Sequence, residues 1–223
     1  MRLQAEHFYP AEFIHHLFFV LAMQLSAGSE ELRDLLRFMV DDIKRAPRLT
    51  GDKILWVHLM PYYQQSLKAA FDYSPAHQIV AVDMAFCTMS DLTDADPFRA
   101  LAKKLIDNAM NGPYERKLAL VDRLLDATHA DGVIHFCHWG CKQSAGGSAL
   151  LREHLHEAGV PLLQLDGDGI DERNSHDGQI KTRLEAFFEV LEAKRAEGGA
   201  QGGSVNGEST AQGGTAETKG GAR

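Results

Sequence analysis

Gly132-Val133-Ile134-His135-Phe136-Cys137-His138-Trp139-Gly140-Cys141 is followed by Lys142-Gln143-Ser144-Ala145-Gly146-Gly147-Ser148 and then by Ala149-Leu150-Leu151. The run from Gly132 to Phe136 is apolar except for one His and has the length of a buried strand. Gly147 to Ala158 carries a helical pattern, and Pro161 to Leu165 is a second short apolar run. Strand, helix and strand in this order form the unit of a parallel sheet with right-handed crossovers.

The same alternation extends outward in both directions. Downstream, Gly178 to Ala196 reads as the last helix, with Leu184, Phe187, Phe188 and Leu191 on one face. Upstream, helices are expected over Pro97 to Ala109 and Pro113 to His129, with a strand from Gln78 to Asp83 before them. A strand from Ile54 to Leu59 precedes a helix starting near Pro61, where the missing proline N–H costs nothing. Residues 11–25 and 29–46 read as helices, the second capped by Ser29 with Glu30 and Glu31 at its positive end and stopped by Pro47. The expected fold is therefore α/β, a four-stranded parallel Rossmann-like sheet with flanking helices over 49–196, preceded by an N-terminal helical segment over 1–48. Residues 197–223 turn to Gly, Ala, Ser, Thr, Gln and Glu and are expected to form a disordered tail, because they hold too little apolar surface to offset ordering.

Composition narrows the functional classes. The 223 residues are 44% hydrophobic and 24% charged, ordinary for a globular protein. A formal net charge of -8 argues against nonspecific nucleic-acid binding, which needs a basic surface. Phe13 to Leu25 is the longest apolar stretch, broken by His15, His16 and Gln24 and too short to span a bilayer. Met1 to Gln4 shows no signal-peptide pattern, and three cysteines are too few for a disulfide scaffold, so a cytoplasmic location is expected.

In such a sheet the carboxyl ends of the strands share one edge, where open α/β folds place their chemistry. That edge is expected to hold Met60-Pro61-Tyr62-Tyr63, then Cys87, then Cys137 and Cys141, and finally Asp166 and Asp168. Cys137 and Cys141 lack the paired spacing of structural zinc and the CxxC of thioredoxin-like chemistry. An iron–sulfur cluster held by cysteines from separate loops stays open, as does the plain reading of buried thiols. Gly140, Gly146, Gly147 and Ser148 fit either a tight turn or an anion cradle at a helix start, and no nucleotide fingerprint is present. Asp166, Asp168, Asp171 and Glu172 lack the EF-hand spacing and read as solvated turn acids.

Taken together, Asp131 to Phe136, His138-Trp139-Gly140-Cys141-Lys142-Gln143, Leu165-Asp166-Gly167-Asp168 and the run Gly178 to Phe187 with Thr182, Arg183 and Glu185 resemble the 2-hydroxyacyl-CoA dehydratase and benzoyl-CoA reductase family, component D. Trp56 to Tyr63 and Asp96 to Ala102 extend the likeness, which runs from roughly Leu49 to Glu192. The resemblance implies an oxygen-sensitive [4Fe-4S] cluster, a CoA-thioester substrate, a sister dehydratase subunit and an ATP-dependent iron–sulfur activator. It implies loss of water from a 2-hydroxyacyl-CoA through a ketyl radical, which makes the otherwise unreactive β-hydrogen acidic. Cys141 matches the family's C-terminal cluster cysteine, with Cys87 as a second candidate ligand and Cys137 as the alternative. The resemblance implies that the chain begins where the family's N-terminal α/β domain has already ended, and Met1 to Leu25 holds no cysteine, so the chain is expected to be a truncated or split product, or to need a partner for turnover. A non-catalytic remnant or interaction module and a benzoyl-CoA-reductase-like subunit are the competing expectations.

Overall fold

The computed structural model describes residues 2–87 and 95–202. Its sheet has four strands, β1 (Asp52–Val57), β2 (His77–Val82), β3 (Gly132–His138) and β4 (Leu162–Gly167), in the spatial order β2-β1-β3-β4. Every pairing is parallel, as the apolar runs and intervening helices predict. The strand order reverses between β1 and β3, so the topological switch point lies there.

Period-two alternation divides the strand side chains between two cores. Ile54, Trp56, Ile134, Phe136, Leu163 and Leu165 face one side. They are covered by α2 (Phe13–Leu25), α3 (Glu30–Ile43), α4 (Gln65–Phe71) and α10 (Asp177–Gly202) through Phe13, Leu32, Leu67, Phe71, Leu184 and Phe187. The N-terminal helices thus belong to the sheet's own core, with the Phe13 ring edge-on to Trp56 at 5.1 Å. Leu55, Val57, Ala81 and Val133 face the other side, against α7 (Glu115–Thr128) and α9 (Ser148–Glu157). The result is a three-layer α/β/α arrangement, to which the short helices α1 (Arg2–Glu6) and α8 (Lys142–Ala145) are added.

Local chemistry explains where these elements begin and end. Ser29 accepts the Leu32 N–H at 3.1 Å to cap α3, and Asp96 caps α6 (Pro97–Ile106), whose proline sits in its first turn. His129 adopts φ 49 and ends α7. Most boundaries shift by a few residues from the sequence expectations, and three of the shifts bear on the site or the tail. The helix expected near Pro61 starts only at Gln65, because Pro61 to Gln64 form a turn closed by a Gln64 N–H bond to the Pro61 carbonyl at 3.1 Å. Asp83, expected to end a strand, instead begins a one-turn helix α5 (Asp83–Phe86). The last helix continues past Ala196 to Gly202, and the rest of the Gly-rich segment lies outside the described residues. No helix of the described residues is long and apolar enough to cross a membrane.

Candidate functional site

The carboxyl edge of the sheet is closed by loops that clasp one another. Beyond β1, the Tyr63 hydroxyl donates to the Asp168 carbonyl, the Gln64 amide pairs with Ser175, and the Ser66 N–H donates to Asp177 at 3.0 Å. These bonds tie the β1 loop to the segment after β4. Between them opens a cavity of about 500 Å³ lined by Tyr62, Tyr63, Ile170 and Arg173, among others. Asp168 accepts from the Ile170 N–H at 2.9 Å, the Asp171 N–H at 3.1 Å and Asn174 at 3.1 Å. These bonds hold its carboxyl below the usual range and build the turn.

The loop after β3 forms a turn in which the Cys141 N–H donates to the His138 carbonyl at 3.0 Å. The buried Ser144 hydroxyl lies 3.4 Å from that carbonyl and 3.3 Å from that of Cys141. The side chain of Cys141 is partly exposed, while Cys87 and Cys137 are buried. The Cys87 sulfur accepts from Gln24 at 3.2 Å, and burial raises its pKa. Cys137 lies 3.5 Å from the His135 ring, and burial, with Asp166 nearby, pushes its thiol up to about 12. The glycines beside Cys141 serve packing. Gly146 gives its N–H to the Lys142 carbonyl at 2.9 Å, and a Cβ added at Gly147 would fall inside the Tyr114 ring.

Beneath this edge, on the α7 side, lies a buried polar group with no counterpart in the sequence reading. Asp83 and Lys117 are wholly buried and meet at 3.0 Å, without a well-aligned hydrogen bond to that carboxylate oxygen. The other oxygen of Asp83 accepts the His58 N–H at 2.7 Å. That bond holds His58 at φ 78, a left-handed backbone that non-glycine residues rarely adopt. His58 Nδ1 and the Tyr114 hydroxyl are buried without a partner. Burial, reinforced by Lys117, lowers His58 to about 4 and His135 to about 3, so both rings are neutral near pH 7.

A signal for this group does exist in the sequence. Lys117 lies in helical phase with Leu120, Val121, Leu124 and Thr128, all core-facing, and a lysine in that phase must find a buried anion. Asp83, the first residue past an apolar strand, supplies it. These histidines also set an acid limit. Their folded-state pKa values lie below the unfolded value of about 6.5, so the unfolded chain binds more protons as pH falls. Stability is therefore expected to decline from about pH 6.5 toward pH 4, by about 1.4 kcal/mol per pH unit for each such ring. Chemical denaturation at pH 7, 6, 5 and 4 checks this; a flat profile would contradict the neutral assignment.

The residues of the C-terminal signature bond within the fold. Arg183 donates to the Gln164 carbonyl and lies 3.8 Å from Asp166, pinning α10 to β4. Thr182 bonds the Gly178 carbonyl at 3.1 Å, and Glu185 pairs with Lys181 at 3.8 Å. As to metal, no group of three or more His, Cys, Asp or Glu among the described residues is placed to hold an ion. The three cysteines thus do not fit a cluster as a set. Cys141, accessible at the edge, has the donor chemistry for one ligand position.

Residues 1–191 match the family model described as 2-hydroxyglutaryl-CoA dehydratase, D-component. The chain belongs to that family. The match begins at residue 1 and so takes in the N-terminal helices, upstream of the stretch near Leu49 where the recognisable motifs start. The chain is 24% identical over 180 residues to the (R)-phenyllactyl-CoA dehydratase alpha subunit of Clostridium sporogenes, covering 75% of this chain and 43% of that one. It is 26% identical over 102 residues to a subunit of the benzoyl-CoA reductase of Thauera aromatica, covering 45% of this chain and 24% of the relative. The chain thus spans less than half the length of either relative.

Proposed function

We propose that this chain is part of an iron–sulfur subunit that eliminates water from a 2-hydroxyacyl-CoA by a one-electron route. Family membership supports the reaction class, and the match to a dehydratase subunit is longer than that to the reductase subunit. The observation that carries the reading to a site is Cys141, the one partly exposed cysteine among the described residues, at the strand-end edge beside the switch point. In this reading Cys141 supplies one thiolate to a [4Fe-4S] cluster, and the remaining ligands come from a sister subunit. When bound, such a cluster supplies one-electron chemistry.

This chain's own part is one wall of the site. The Cys141 turn is fixed by His138 and Ser144, and the clasped β1 and β4 loops hold the adjoining cavity open. Preorganisation of this kind lowers the ordering cost of binding. The overall change removes hydroxide from the carbon next to the thioester and a proton from the next carbon. The electron, delivered by an ATP-dependent activator, is recovered at the end. The full chain, purified without oxygen together with a sister subunit and that activator, is expected to convert a 2-hydroxyacyl-CoA to the enoyl-CoA only with ATP. Absence of product from an assembly that contains its full complement of iron and sulfide would overturn the reading.

A further inference from the structure

Two imidazoles flank the switch point, His58 just after β1 and His138 at the end of β3. The Gly169 N–H donates to His138 Nδ1 at 3.0 Å, so the hydrogen-bond network assigns the ring's own proton to Nε2. Asp168 lies 3.8 Å from the same Nδ1, too far for a hydrogen bond, and its oxygen is already engaged by Ile170 and Asp171. Nε2 lies over Gly140, where a Cβ would come within 3.6 Å of it, and Gly140 is exposed. No acceptor among the described residues takes the Nε2 proton. The donor therefore opens toward the surface over Gly140, the residue that precedes Cys141. Trp139, the next residue in sequence, is 60% exposed, and Ile170, which follows the Gly169 that bonds the ring, is 64% exposed and lines the cavity of Tyr62 and Tyr63.

A lone N–H donor among exposed apolar side chains matches an acceptor oxygen carried on an acyl chain. We propose that His138 Nε2–H is the hydrogen-bond donor for the carbonyl oxygen of an acyl thioester bound at the switch point. The inference deepens the reading above and rests on it. Trp139 and Ile170 then provide the apolar walls that a saturated acyl group needs, and Gly140 leaves the approach to Nε2 clear.

Long-range ¹H–¹⁵N NMR of the ¹⁵N-labelled full chain at pH 8 tests it. The His138 ring is expected to carry its proton on Nε2, and lactyl-CoA is expected to shift that resonance while CoA alone leaves it in place. His138→Gln, which keeps an N–H near the same point, should retain most of the lactyl-CoA affinity, and His138→Leu should lose about tenfold. A proton on Nδ1 overturns the inference. So does a lactyl-CoA response at Trp139 and Cys141 with His138 unmoved, which leaves the dehydratase reading standing. No response anywhere along the edge also overturns the inference, while the dehydratase reading stands or falls on turnover by the full assembly.

Discussion

Replacing Lys117 by Met is expected to lower the unfolding free energy by about 3–5 kcal/mol, a large part of the 5–15 kcal/mol typical of a domain. The substitution keeps most of the side-chain volume and removes the ammonium that faces Asp83 at 3.0 Å. A wholly buried carboxylate would then keep only the His58 N–H as a partner. Burying an unpaired charge costs far more than the pair itself contributes, so the second substitution should reverse most of the loss. Asp83→Asn keeps an oxygen for the His58 N–H and leaves no charge to compensate. The double variant Lys117→Met with Asp83→Asn is thus expected to be more stable than Lys117→Met alone. Urea unfolding of the wild type, both single variants and the double variant closes the cycle, provided their slopes agree. Single variants within 1 kcal/mol of the wild type would mean that the pair is hydrated rather than buried.

The second large effect concerns the thiols. Under native conditions at pH 8, iodoacetamide is expected to label Cys141 and spare Cys137 and Cys87. With its thiol near 12, Cys137 is ionised to a fraction on the order of 10⁻⁴ at that pH, and only the thiolate reacts. Burial also closes the approach to its sulfur, which lies against His135. Cys87 is buried, its thiol is raised by the same cause, and its sulfur accepts from Gln24. Peptide mapping of the labelled chain reads the three rates separately. Labelling of Cys137 as fast as that of Cys141 would mean that the β3 edge opens readily, and the contrast between the two cysteines would lose its basis.

The sheet could be read from the sequence because each strand is a short apolar run bounded by turn residues, and its length and flanks separate it from the longer amphipathic helices. The edge carrying Cys141 and Asp168 followed from strand direction. The buried group did not follow, because its members come from four separate segments. His58 directly follows β1, Asp83 opens α5, Lys117 rides on α7, and His135 sits inside β3. Lys117 alone stands out, by its helical phase with core residues; the other three look like ordinary polar residues, and only the sheet order brings the group together. The late start of α4 has a local cause in the Pro61 turn, which no periodicity reports. The glycines at 146 and 147 illustrate the converse. Their clustering reads equally as anion cradle or turn, and packing against Tyr114 and the Lys142 carbonyl decides for the turn.

Iron and acid-labile sulfide per chain, measured on anaerobically prepared assemblies of the wild type and of Cys141→Ser, Cys87→Ala and Cys137→Ala, test the central proposal most directly. A full cluster is expected in the wild type and in the variants at positions 87 and 137, and its loss in Cys141→Ser. An intact cluster in Cys141→Ser, with the protein folded, would contradict it.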